Sequence, residues 1–461
     1  MEDTVNFWHM QLHPNDKSWT QKDILDLVEG QGVIGIGESW DGDHGRPWTF
    51  QNKFRKGDIV LVRHNGPLCL VQVVGDCFEN PDQTEVDAWF YYCRDVKILD
   101  KDGNTVKEKY KKETKKNWSD GIFAPVTMDN ANNWEFIKFW YSEYLKKERK
   151  REMKNIISLL EQKNNIVLQG APGTGKTYST TSIAVGLVDQ SFNNLDDRSK
   201  VTSRYNQLLI KVNPEQNQGD NSKGTIASGQ IGFITFHQSM EYEDFIEGIK
   251  PVSNGTNVTY TIENGIFKMM ARKAANDKAH KYVLIIDEIN RGNISKILGE
   301  LITLLEPDKR DDKENRITVT LPYSKESFSV PSNLYIIGTM NTTDRSAGSV
   351  DYAIRRRFAF VTLKSDPNIV ETKSSKKALD LFNAVQTFIN NNRESELDIA
   401  DLQIGHSYFL VNKNDKGEEL EQRWKYEILP LLREYYKDGI ILKDIPEDCR
   451  TIETFENFVN E

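Results

Sequence analysis

Cysteine is scarce in this chain. There are four in 461 residues, Cys69, Cys77, Cys93 and Cys449, none in a C-x-x-C pair and none with histidines clustered beside it. That spacing argues against a zinc site or a disulfide framework and fits a reducing compartment. Long apolar runs are missing as well. No stretch of eighteen apolar residues occurs, and Met1–Leu12 has neither a basic n-region nor an apolar h-region. Neither a membrane span nor a signal peptide is expected, so a cytoplasmic protein is the default. Positive charge is in deficit, with 60 Lys and Arg against 69 Asp and Glu and a net charge of -9. A global basic footprint for nucleic acid is excluded, and any such contact has to come from a local patch or from assembly. The length predicts two or three domains of ordinary globular composition.

What is present is strongly regional. Five of the nine tryptophans lie within the first 89 residues, and residues 1–120 carry short β-like runs bounded by turn residues: Gly32–Gly37, Asp58–Val62, Cys69–Val74 and Trp89–Tyr92. They predict a small β-barrel-like domain. This part has 16 Lys and Arg against 21 Asp and Glu. The lysine-rich stretch within 97–120 reads as a solvated hairpin or loop, with a phosphate-binding edge as the alternative. Residues 121–163 form a linker, helical over 134–163. Beyond 164 the pattern changes to apolar strands separated by helical segments: Asn165–Leu168, Phe233–Phe236, Tyr282–Ile286 and Leu334–Gly338. That alternation predicts an α/β core over 164–365 with a parallel sheet covered on both faces. A polar insertion is expected at about 189–230, and residues 366–461 read as a helical lid.

Gly170-Ala171-Pro172-Gly173-Thr174-Gly175-Lys176-Thr177 fits G-x-x-x-x-G-K-[ST] between a strand and a helix. Its glycines let backbone N–H groups approach phosphate oxygens. Lys176 is placed to neutralise the β and γ phosphates and the Thr177 hydroxyl to bind Mg²⁺, with Tyr178 next to them. Asp287 follows a strand and can reach Mg²⁺, and Glu288 can polarise the attacking water. Asn341 follows the next such strand closely, where an amide can sense the γ-phosphate. Arg291, and Arg355 and Arg356 in the run ending at Arg357, are candidates to supply charge in trans to a neighbour's nucleotide, which requires a head-to-tail ring.

These elements resemble those of AAA+ proteins. Within that class the chain is similar to the McrB group, the GTP-dependent motor subunits of modification-dependent restriction systems. The matching stretches are LQGAPGTGKT (168–177), FHQSMEYEDFIEGIKP (236–251), IIDEINRGNISKILGE (285–300), GTMNTTDRS (338–346), VDYAIRRRF (350–358) and IGHSYF (404–409). The resemblance implies GTP, with ATP as the alternative fuel, and a ring, hexameric by family pattern. It also implies a separate McrC-like endonuclease and Arg291 as the finger, ahead of Arg355 and Arg356. Asp344, in Asn341-Thr342-Thr343-Asp344, is implied as a guanine contact. The 111-residue interval from Lys176 to Asp287 is longer than the family leads one to expect. Phe7-Trp8, Gly35–Trp40 and Phe54–Val60 resemble EVE/PUA-like domains, relatives of which read modified bases. A flipped base needs aromatic walls and edge contacts. Trp8, Trp40, Trp48 and Trp89 are candidate walls, with Asp41, and less so Asp43, for the edge. The expectation is therefore a GTP-hydrolysing motor that recognises modified double-stranded DNA, modified cytosine included. The rivals are an ATP-dependent MoxR-like remodeller and a poorly hydrolysing modified-DNA sensor.

Overall fold

The computed structural model describes residues 6–12, 19–37, 45–64, 66–80, 90–116, 131–213, 225–254, 257–344 and 350–460. They divide into two units, Met1–Arg151 and Glu152–Glu461. The boundary falls within one long helix, and each unit is taken by itself below.

The first unit contains strands β1 (Phe7–Gln11), β2 (Val33–Ile36), β3 (Ile59–Arg63), β4 (Pro67–Glu79) and β5 (Tyr92–Asp100), in the sheet order β1-β3-β4-β5-β2. β1 runs parallel to β3 and every other pairing is antiparallel. All five residues of β3 are buried, as a central strand of Ile, Val and Leu should be. Helix α1 (Gln21–Gln31) starts at a Thr20/Asp23 capping box and stops at left-handed Gly32, which feeds the chain directly into β2. Helix α2 spans Gly45–Asn52. β1 and β2 are the sheet edges, and no pairing among the described residues closes the expected barrel.

Two further expectations change here. The lysine-rich stretch is a helix, α3 (Gly103–Thr114), and not a hairpin or loop. Its buried residues Gly103, Val106 and Tyr110 lie three and four apart, so its lysines occupy the remaining faces. The supposed linker is also partly core. Helix α4 (Ala131–Lys163) buries Phe136, Ile137, Trp140 and Tyr141 with Val106, Tyr110 and the β3 residues Ile59 and Leu61. Despite its length it is too polar to cross a membrane, and no other helix among the described residues is long and apolar enough.

The second unit is built on β6 (Asn165–Gly170), β9 (Ile231–Thr235), β12 (Tyr282–Asp287), β15 (Leu334–Asn341) and β16 (Ala359–Thr362). They form an all-parallel sheet in the order β16-β6-β15-β12-β9. The first five residues of β12 and the first six of β15 are buried, which is the signature of strands covered on both faces. The expected α/β core is therefore present. In such sheets ligands sit beyond the carboxyl ends of the strands. Here those ends carry Gly170, Asp287 and Asn341.

Between β6 and β12, besides β9, lie α5 (Lys176–Val188), α6 (Arg198–Leu208), two antiparallel pairs and two further helices. The pairs are β7 (Lys211–Asn213) with β8 (Thr225–Ser228) and β10 (Glu247–Asn254) with β11 (Asn257–Asn264). The helices are α7 (Tyr242–Phe245) and α8 (Ile266–Asn276). The polar insertion is less peripheral than its composition suggests. Val201 and Leu208 of α6 are buried in the same cluster as Ile183 and Leu187 of α5, with Leu195 and Tyr205 packed against it. Residues 366–460 are helical around a separate core that includes Phe382, Phe388, Trp424 and Phe455. At the opposite end of the sheet from the site, buried Arg310 donates to Asn165 Oδ1 (2.6 Å), and Asn165 Nδ2 donates to the carbonyls of Leu305 and Arg357.

Candidate nucleotide site

The loop after β6 turns on glycines. Gly173 and Gly175 have φ of 80° and 86°, a region that side chains disfavour. Lys176, at the start of α5, is buried. Its Nζ donates to the carbonyls of Gly170 (2.9 Å) and Ala171 (2.8 Å). Burial pulls the ammonium down to about 8, against the opposing pull of Glu288 and Asp287. This sets a pH signature. A phosphate bound in the loop raises the Lys176 pKa, so binding above about pH 8 has to take up a proton. Affinity should be flat below that point and fall by up to about tenfold per pH unit above it. Calorimetric titration in buffers of different ionisation enthalpy reads the proton uptake directly. Uptake that stays absent above pH 8 would remove Lys176 as the titrating group.

Asp287 and Glu288 lie at the next strand end but one. Thr339 of β15 organises both: its hydroxyl donates to Asp287 Oδ1 (2.6 Å) and accepts from the Glu288 backbone N–H (3.1 Å). Asn341 Nδ2 donates to Glu288 Oε1 at 2.8 Å, so the expected sensor and the expected water-polarising carboxylate are in contact. No sequence motif singles out Thr339. The register of β12 on β15, which pairs Ile286 with Gly338, brings it there.

The arginines expected to act in trans have partners within this chain. In this chain Arg291 Nε donates to Glu288 Oε2 at 3.1 Å, and its Nη2 lies 3.0 Å from Asp344 Oδ2. Asp344, expected at the guanine edge, thus pairs with the arginine that engages Glu288. Arg356 pairs with Glu306 at 2.5 Å, Arg357 is buried against the same carboxylate at 2.8 Å, and the Arg355 guanidinium lies over the Phe360 ring at 5.2 Å. Thr177 and Tyr178 are exposed at the first turn of α5. Arg198, from the insertion, lies over the Tyr178 ring at 4.4 Å and donates to Thr181 Oγ1 at 2.6 Å.

The lid meets the loop through main-chain atoms. Gly405 N donates to Pro172 O (2.8 Å) and Ser407 N to Gly173 O (3.1 Å); beyond the end of β15, the Thr342 side chain donates from Oγ1 to Asp401 O (2.8 Å). His406 stands over Gly175. A Cβ at Gly405 would lie 1.9 Å from the carbonyl carbon of Gly173, backbone against backbone. Gly405→Ala should therefore lift the lid from the loop and weaken nucleotide binding about tenfold or more, in the range that overpacking costs. Equilibrium titration checks this, with thermal melting as the control that the lid itself remains folded.

The first unit separates its candidates. Trp8 is a core residue and not a pocket wall. It stacks on Phe54 (4.2 Å between ring centroids) and donates its indole N–H to buried Asp58 at 2.6 Å. Trp48 on α2 is 55% exposed. Trp40, Asp41, Asp43 and Trp89 lie outside the described residues.

A glycine-rich phosphate loop on β6, acidic and amide residues on adjacent parallel strand ends, and a helical lid bonded to the loop define an AAA-type nucleotide-binding unit. Residues 226–358 match the AAA domain (dynein-related subfamily). Residues 381–441 match the McrB alpha-helical lid domain, so the chain carries an McrB-type AAA domain with its lid. Over 305 residues it is 36% identical to the Type IV methyl-directed restriction enzyme EcoKMcrB subunit of Escherichia coli K12, covering 62% of this chain and 57% of that protein. It is 28% identical over 151 residues to the Type II restriction enzyme BsuMI component YdiS of Bacillus subtilis 168, covering 31% of this chain and 40% of that protein. The chain thus spans roughly half the length of these relatives.

Proposed function

We propose that this protein is the GTP-hydrolysing motor of a modification-dependent restriction system, working as a ring with a separate endonuclease subunit. The observation that carries the reading is the joining of Lys176, Asp287, Glu288 and Asn341 at one end of the sheet, under a McrB-type lid bonded to the phosphate loop. Both relatives are named as components of restriction enzymes, one of them methyl-directed. GTP as fuel rests on resemblance to the McrB group.

Within this reading the loop amides and Lys176 bind the β and γ phosphates. Glu288, oriented by Asn341, holds the attacking water and accepts its proton. Thr177 and Asp287 offer a hydroxyl and a carboxylate, an oxygen-only pair that fits Mg²⁺, which takes few protein ligands and completes its shell with phosphates and water. When bound, the metal would supply charge neutralisation at the phosphates. The first unit reads modified DNA, with exposed Trp48 offered for stacking.

The test is a rate comparison on the full chain. GTP should be hydrolysed in preference to ATP, faster still with the nuclease partner. Stronger ATP hydrolysis would replace this reading with that of an ATP-driven remodeller. Modified duplexes should bind more tightly than plain ones at equal salt, and Trp48→Ala should erase the difference. Equal affinity of the wild-type chain for both would end the reader assignment.

A further inference from the structure

The proposed reaction needs an oxygen of Glu288 for water, and here both oxygens are engaged by the protein. Oε1 accepts from Asn341 Nδ2 and Oε2 from Arg291 Nε. Arg291 is gripped at its far end by Asp344, which together with Glu288 fixes the plane of the guanidinium between two carboxylates. The local backbone produces this. Glu288 sits at φ 53° and ψ 46°, a left-handed conformation unusual for a residue with a side chain. The single-turn helix Ile289–Arg291 that follows it, closed by Arg291 N donating to Glu288 O at 2.9 Å, folds Arg291 back over the carboxylate. Each of two strand ends supplies half of the device. Glu288 and Arg291 follow β12, and Asn341 and Asp344 come from the end of β15.

We infer that Asp344 is a positioning residue that parks Arg291 across its own chain's Glu288, keeping that carboxylate occupied until a neighbouring copy draws Arg291 away. The inference rests on the hydrolysing, assembling motor proposed above. It reconciles two roles for one arginine: a brake within the isolated chain, and a charge donor between chains once released. The brake is weak. The Arg291 side chain is 48% exposed, and ion pairs of that kind bias a population only about three- to fivefold. A neighbour's contact can overcome a bias of that size.

The experiment measures GTP hydrolysis by the full chain across concentrations that run from unassembled to assembled, with sedimentation to mark the transition. Asp344→Asn should raise kcat per chain about three- to fivefold in the unassembled range. KM should stay unchanged, and the assembled rate should remain within about twofold of wild type. In an Arg291→Ala background the same substitution should do nothing further, and Asp344→Glu, which keeps the carboxylate, should stay near the wild-type rate. A raised KM in Asp344→Asn would make Asp344 a nucleotide contact and overturn the proposal, as would an unassembled rate no higher than wild type. Should Asp344→Asn not fold, Asp344→Ser serves the same comparison. A wild-type chain that hydrolyses neither GTP nor ATP at any concentration overturns the motor reading and the brake with it. A wild-type chain that hydrolyses, with a variant that is no faster, overturns the brake alone.

Discussion

Lys176→Ala is expected to leave the second unit folded and to weaken nucleotide binding by at least about a hundredfold, the loss that follows from removing a charge-assisted partner of a bound phosphate. The two effects separate because of what Lys176 touches. Its ammonium donates only to the carbonyls of Gly170 and Ala171, and Gly170 O also accepts from Thr342 N at 3.2 Å. Removing a buried cation also removes the desolvation that pulls its pKa down to about 8. Thermal melting without ligand should therefore barely move, while nucleotide should no longer raise the melting temperature. Ring formation should disappear along with binding. Nucleotide-dependent assembly that survives in Lys176→Ala would contradict the role given to this residue.

Glu288→Gln is the second large effect, of the opposite kind. Binding should hold within about threefold while turnover falls by at least about a hundredfold, the range associated with loss of a general base. The amide keeps an oxygen to accept from Asn341, so the local fold is conserved. It also turns an N–H towards Arg291, whose Nε now donates to Glu288 Oε2. The variant thus loses both the proton acceptor and the Arg291 bond. Single-turnover hydrolysis alongside equilibrium binding distinguishes the two parameters. Undiminished turnover would exclude Glu288 as the water-orienting group.

Much of this site is legible in the sequence, for a physical reason. The phosphate loop is a local device, with glycines, lysine and hydroxyl in eight consecutive residues between a strand and a helix. Asp287 and Asn341 could be placed because each follows an apolar run that only a buried parallel strand explains. Other features depend on tertiary partners and leave no local mark. Trp8 looks the same in sequence whether it lines a pocket or, as here, stacks on Phe54 with its N–H on Asp58. Thr339 becomes an organiser of Asp287 and Glu288 only through the strand register. The cis engagement of Arg291 depends on the left-handed turn at Glu288, which no residue type there announces. Helix α3 was hidden because its buried residues are outnumbered by lysines.

The contact between lid and loop has one consequence that bears on how such proteins change over time. Its two main-chain bonds, Gly405 N to Pro172 O and Ser407 N to Gly173 O, involve no side chain on either partner. Communication between the phosphate loop and the lid is thus written in atoms that every amino acid shares. Substitutions at Pro172 or Ser407 can alter what the pocket prefers without removing these bonds, and positions 173 and 405, where an added Cβ would run into the facing segment, are where that tolerance stops.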